Sequence, residues 1–214
     1  MREIHATNPY EGFPVNMFAA DLQGWGQDSP IFEHVISTYR PSRMIEVGTW
    51  KGASAIRTAG LMKRYGIAGP QLICVDTWLG SVELWLDTRF LPSLALKFGR
   101  PELYNTFMTN VLRAGHADVI VPFPVDTSTA AKFFLLKCLQ ADAIYLDASH
   151  EYQDVAADLV AYWKVLRPGG VFIGDDYLDC WPGVVQAVHE FAQRLGLTIN
   201  ARFPGKFLLD KPGS

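Results

Sequence analysis

Cysteine is scarce in this chain: Cys74, Cys138 and Cys180 are the only three in 214 residues, too few and too far apart for a disulfide framework. They read as buried free thiols rather than as a metal or redox centre. No apolar run is long enough to span a bilayer, and the start carries no basic, apolar, small-residue leader. A soluble, cytoplasmic protein with no membrane partner is therefore expected. Charge of one sign is missing too, with 19 Lys and Arg against 22 Asp and Glu, a formal net charge of -3. That balance gives no electrostatic footprint for nucleic acid and points to a small or medium-sized partner molecule. Internal repeats and low-complexity tracts are absent, which excludes a solenoid, and the length fits one domain able to bury a core without staples.

What is present is organised around residues 142 to 177. Ala143 to Leu146 and Gly170 to Ile173 are short apolar runs, each followed by carboxylates: Asp147, and the pair Asp175 and Asp176. The intervening segment carries Tyr152, Val155, Leu159, Trp163 and Leu166 at three- and four-residue steps, the period of a helix with one buried stripe. Strand, helix, strand makes a parallel crossover, which brings the three acids to one edge of a sheet. Ligands of open α/β sheets bind beyond that edge. Converging carboxylates repel unless protonated or neutralised by a cation. Asp147, Asp175 and Asp176 are thus a candidate site for Mg2+ or another divalent cation.

Upstream, Arg43 to Val47 reads as a strand opening through a glycine loop into a helix from Ala55 to Arg64. The loop has a Glu-x-Gly-x-x-x-Gly pattern, Glu46, Gly48 and Gly52, unlike the Gly-x-Gly-x-x-Gly that a dinucleotide pyrophosphate requires. Its candidate ligand contacts are Glu46 as acceptor for an ammonium group, then Gly48, Thr49, Gly52 and Ser54. A second strand, Gln71 to Val75, ends in Asp76, placed to accept from ribose hydroxyls or simply to be a solvated strand end. Thr77 and Trp78 follow, the indole in position to flank a purine. A third strand, Asp118 to Pro122, leads into Asp126, Thr127 and Ser128, which either contact a bound base or cap the helix 129 to 139.

The flanks differ in texture. Residues 1 to 29 form an irregular arm rich in Gly, Pro, Asn and aromatics, either a loosely packed terminus or a cap over the ligand edge. Ser29 is placed to cap a helix from Pro30 to Tyr39, which opens the domain spanning 30 to 214. Within it, residues 79 to 112 are aromatic and interrupted by Pro92 and Pro101, the texture of a substrate lid or of an extra packed helix. After the helix Pro182 to Leu195, Leu197 to Phe203 and Lys206 to Leu209 read as a hairpin around Pro204 and Gly205.

With these residues in view, the chain from about Arg43 to Leu209 resembles a class I S-adenosylmethionine-dependent methyltransferase. Glu46-Val47-Gly48 with Gly52 is similar to that family's first motif, Asp76 to its ribose acid, and Arg167-Pro168-Gly169-Gly170 to the turn before its fifth strand. The resemblance implies a Rossmann-like, doubly wound sheet of seven strands, mostly parallel with an antiparallel last strand. It also implies S-adenosylmethionine as cofactor. The Asp-Ala-Ser-His-Glu-Tyr and Gly-Asp-Asp-Tyr phrases resemble the metal-dependent O-methyltransferases that act on sugars of natural products. By that resemblance Asp147, Asp175 and Asp176 hold the metal, and His150, or Asp147 itself, takes the acceptor's proton. The expected acceptor is a small molecule, a sugar or an aromatic diol, and exposed aromatics in the arm make a homodimer plausible. A metal-independent N- or C-methyltransferase is the alternative. The missing dinucleotide fingerprint argues against a nicotinamide enzyme, and the intact acid cluster argues against a non-catalytic cofactor-binding protein.

Overall fold

Short apolar runs become the centre of the molecule because their alternate side chains find two different partners. The computed structural model describes residues 3–213; residues 1 and 2 of the expected arm and residue 214 of the expected domain lie outside the described residues. Strands β1 (Arg43–Val47), β2 (Gln71–Val75), β3 (Ile120–Phe123), β4 (Ala141–Leu146), β5 (Leu166–Gly174) and β6 (Phe207–Asp210) form one sheet in the order β3-β2-β1-β4-β5-β6. The first five run parallel, and β6 pairs antiparallel with β5.

Helices α1 (Pro30–Tyr39), α2 (Ala53–Arg64) and α4 (Leu103–Arg113) cover one face, where Met44, Leu72, Tyr145 and Ile173 point. Helices α5 (Thr127–Leu136), α6 (Tyr152–Val165) and α7 (Pro182–Leu195) cover the other, meeting Ile45, Ile73, Ile144 and Phe172. The period of two explains both clusters, and burial on both faces explains why these strands read as nearly continuous apolar runs. The strand order reverses between β1 and β4, so the ligand crevice of the fold lies just past Val47 and Leu146.

The expected doubly wound α/β architecture is present, with one correction: six strands, not seven, among the described residues. The expected strand over Leu197 to Phe203 is reduced to a single bridge, Asn200 to Leu208. The Asn200 side chain accepts the Arg202 amide at 3.3 Å, turning the chain away before a ladder can extend. Helix α5 begins at Thr127, two residues earlier than expected, and Cys138 in the left-handed region follows its end. Arg167 to Gly170, expected as a turn, lie inside β5 next to a register irregularity. Of the three thiols only Cys74 is buried; Cys138 and Cys180 are exposed because both lie in connections rather than in a helix or strand.

Gly48 marks where the sheet becomes the crevice. Its φ is +83°, and a Cβ there would lie 1.9 Å from the Asp147 carbonyl oxygen, a backbone atom with no room to retreat. The glycine is therefore required by β4 itself. Gly66 has a similar φ of +61° with open space around it. Gly66→Ala should cost about 1 kcal/mol from the left-handed backbone alone, whereas Gly48→Ala adds a clash and should cost upwards of about 3 kcal/mol. Urea titration of both variants checks the difference.

Candidate active site

The edge beyond β1 and β4 is crowded with carboxylates, each placed by the pleat. Glu46 sits opposite Tyr145 across β1 and β4, on the face covered by α1, α2 and α4. It is fully buried; Ser54 Oγ donates to its Oε1 at 2.5 Å, and its Oε2 is bonded to nothing among the described residues. Burial pushes this carboxyl up to about 8, against the pull of Ser54. Asp76 accepts from the backbone amides of Thr49 at 2.9 Å, Trp50 at 2.8 Å and Trp78 at 2.7 Å. It thereby pins together the two loops that follow β1 and β2, in which Trp50 and Trp78 adopt positive φ. Burial raises its pKa while these amides hold it down.

Beyond β4 and β5 the same alternation separates two neighbours in sequence. Asp175 continues the face of Val171 and Ile173, and its Oδ2 accepts from Tyr145 Oη at 2.8 Å and from Lys206 Nζ. Asp176 has a φ of +55° and turns the other way, where its Oδ2 meets His150 Nε2 at 2.9 Å. With the Asp176 oxygen as acceptor, the neutral imidazole holds its proton on Nε2 and its lone pair on Nδ1. Nδ1 is buried without a hydrogen-bond partner, with Glu83 Oε1 at 3.8 Å and the imidazole stacked on Trp181 at 4.0 Å between centroids. Burial works against the charged imidazole, but the hydrogen bond and charge of Asp176, with Asp147 and Glu83, outweigh it and raise the pKa. Donor atoms of Asp147, His150 and Asp176 lie within 4.8 Å of one another.

Asp147 stands between the two groups. Burial first, then the charges of Asp175 and Asp176, push it up to about 7. Tyr145 Oη lies 2.9 Å from Asp147 Oδ2 and 2.8 Å from Asp175 Oδ2, yet a phenol has one proton to give. The arrangement is satisfied when Asp147 is protonated and donates to the phenol, which donates to Asp175.

The remaining expected contacts have the following surroundings. The Trp78 indole is 2% exposed, packs on Phe107 and Tyr104, and donates to the Trp50 carbonyl at 2.7 Å, so core neighbours rather than a purine flank it. Gly52 (φ +86°) faces Phe107, 2.8 Å from where its Cβ would lie. Thr77 Oγ1 accepts the Leu79 amide at 3.2 Å in a turn. Thr49 is buried, and its backbone rather than its hydroxyl meets Asp76. Asp126 caps α5, accepting from Thr129 N at 2.9 Å and Oγ1 at 2.6 Å; the Thr127 carbonyl accepts from Tyr162, and Ser128 is exposed. The arm crosses the glycine loop: Lys51 Nζ pairs with Asp21 at 2.5 Å, Trp50 Nε1 donates to the Gln23 carbonyl at 3.0 Å, and Trp25 lies beside Trp50 and Phe90. In the segment 79 to 112, α4 is packed core, while the short α3 (Val82–Leu86) exposes Val82, Trp85 and Leu86.

The fold agrees with the family and the solved structures that this chain resembles. A family model described as a methyltransferase domain matches residues 45–177, more than half of the chain. The chain belongs to that family, the class I S-adenosylmethionine-dependent methyltransferases. Mycinamicin III 3''-O-methyltransferase of Micromonospora griseorubida is 29% identical over 168 residues, which cover 74% of this chain and 63% of that protein. An uncharacterised protein of Acanthamoeba polyphaga mimivirus is 25% identical, with 75% and 64% covered. The chain thus spans under two-thirds of the length of these curated relatives. Among solved structures, an O-methyltransferase from Bacillus cereus superimposes with a TM-score of 0.60 at 17% identity, covering 92% of this chain and 84% of that one. The O-methyltransferase TomG from Streptomyces achromogenes gives 0.61 at 15% identity, covering 90% and 83%. These structures share the fold.

Four residues of this methyltransferase's edge escaped the sequence reading: Tyr145, Lys206, Glu83 and Trp181. Tyr145 and Lys206 were within reach of the period of two, since Tyr145 precedes Asp147 by two residues and Lys206 precedes the inward Leu208 by two. Glu83 and Trp181 come from irregular connections, where no period operates.

Glu46, Asp147 and Asp158, the last pushed to about 6 by burial, all hold protons more tightly folded than unfolded. Their contribution to stability is complete below the ordinary carboxylate range and is lost as pH rises through the folded values, up to about 8. Thermal unfolding of the ligand- and cation-free methyltransferase should therefore show stability falling between pH 5 and 8, as roughly estimated from these carboxyls. Glu46→Gln should flatten the steepest part by about 1.4 kcal/mol per pH unit, the effect of one proton.

Proposed function

We propose that this methyltransferase moves the methyl group of S-adenosylmethionine to a hydroxyl oxygen of a small or medium-sized acceptor, a sugar or an aromatic diol, with help from a divalent cation. The observation that carries the reading is His150, held by Asp176 through Nε2 with its lone pair at Nδ1 left bare beside the crevice. A hydroxyl is a weak nucleophile until its proton is taken, and a base beside the crevice supplies the acceptor. The O-methyltransferase relatives and neighbours support the same acceptor atom.

The residues fit both absent groups. The orphaned Oε2 of buried Glu46 is an acceptor in search of a donor, and the ammonium of the cofactor's methionine part supplies one. Asp147 and Asp176 offer the hard oxygen ligands that suit Mg2+, which commonly takes only one or two carboxylates and completes its shell with water or substrate. When bound, the cation lowers the pKa of an acceptor hydroxyl that touches it, and the cofactor brings a methyl already activated on sulfur. With both groups in place, His150 Nδ1 would take the proton that the acceptor hydroxyl gives up. Asp176 steadies the resulting imidazolium through Nε2, and Trp181 fixes the ring plane. The arm and the exposed α3 segment shield the crevice from water, with Glu83 reaching from α3 toward His150.

Labelled S-adenosylmethionine offered with a panel of vicinal diols and catechols should give O-methyl products that vanish on chelation and return with Mg2+. His150→Ala should lower kcat about 100-fold or more, the usual weight of a general base, with a smaller change in KM. Methyl transfer confined to amines, or undiminished by chelator, would replace this reading with the metal-independent one.

A further inference from the structure

Lys206 is a buried cation that the methyl-transfer chemistry above does not use. It is 2% exposed, at the start of the strand that closes the sheet, between the rings of Tyr145 and Phe32 at 5.5 and 5.9 Å. Its Nζ donates to Asp175 Oδ2 and reaches Tyr145 Oη at 3.3 Å. Both oxygens of Asp175 are then engaged: Oδ1 accepts the Asp176 amide at 2.8 Å, and Oδ2 takes the phenol and the ammonium. The arm seals this side, since a Cβ on Gly26 would lie 2.7 Å from Lys206 Nζ.

We propose that Lys206 is a positioning residue that partitions the acidic edge: it withholds Asp175 on one face of the sheet and leaves Asp147 and Asp176, beside His150, as the protein's donors for a divalent cation. This rests on the reading of the edge as a cation site and changes which residues make it. Consecutive residues at a strand end face opposite ways, so Asp175 and Asp176 are not equivalent, although sequence alone groups them. A charge as deeply buried as Lys206 needs a partner, and Asp175 is the carboxylate in contact with it. Removing the ammonium sets Asp175 free within reach of Asp147, through the Tyr145 oxygen that already touches both.

Binding of Mn2+, followed by electron paramagnetic resonance on chelator-treated protein without cofactor, tests the partition. Asp176→Asn and Asp147→Asn should each weaken Mn2+ by tenfold or more, Asp175→Asn by less than threefold, and Lys206→Met should tighten it by threefold or more. Lys206→Met combined with Asp175→Asn removes both charges together, keeps the fold if either single variant loses it, and should bind Mn2+ like the wild type. Equal loss in Asp175→Asn and Asp176→Asn would overturn the partition. If the wild type binds no Mn2+ but Lys206→Met does, the withholding of Asp175 stands, while the donor pair of Asp147 and Asp176 and the divalent-cation reading fail. If neither binds, both fail. A Lys206 that served structure alone would leave Mn2+ affinity unchanged in the double variant and in every folded single variant at that position.

Discussion

Burying several carboxylates at one edge of a sheet is the constraint on which the rest of this structure depends. Glu46 is fully buried, Asp76, Asp147 and Asp175 are partly buried beside it, and each needs a proton, an amide or a cation in compensation. The fold answers with three different devices. Asp76 takes three backbone amides and becomes the pin of the glycine loop. Asp175 takes Lys206 and Tyr145. Glu46 and Asp147 are pushed toward the protonated form, from which, on the function proposed above, a ligand ammonium and a divalent cation would displace the proton.

That division ties stability to function. A carboxyl that holds a proton at neutral pH stabilises the empty protein, and the same carboxyl ionised has a strong claim on a cation. The site is thus poised to exchange protons for ligands, without large movement of β1 or β4, whose ends are fixed by the Gly48 packing on Asp147 and by the Asp147 amide donating to the Val47 carbonyl at 2.8 Å. Rigid strands carry the charges, and irregular segments cover them: the arm over the glycine loop, α3 beside His150.

Much of this was legible before any coordinates. Apolar runs ending in carboxylates located the sheet edge, because strands bury continuous stretches and leave polar ends. Helix α1 was delimited by Ser29 and Pro30, whose chemistry is local. What was not legible depended on neighbours distant in the chain. Gly48 and Gly52 were read as candidate ligand contacts, and the sequence held no sign that Asp147 and Phe107 lie where their side chains would stand. Trp78 was read as a purine wall, but packing against Phe107 and Tyr104 takes both its burial and its orientation. The seventh strand failed because Asn200 bends its own backbone. Lys206 was overlooked because it entered only as the first residue of a hairpin strand, and its buried partner Asp175 lies far away in the chain.

The central claim, that Glu46 exchanges a proton for the cofactor's ammonium, is tested most directly by calorimetric titration of S-adenosylmethionine into chelator-treated protein at pH 7. The titration is repeated in buffers of different ionisation enthalpy. The account predicts binding without metal, release of about one proton per cofactor bound, and loss of that release with at least tenfold weaker binding in Glu46→Gln. Binding with no proton released, and unaffected by Glu46→Gln, would contradict it.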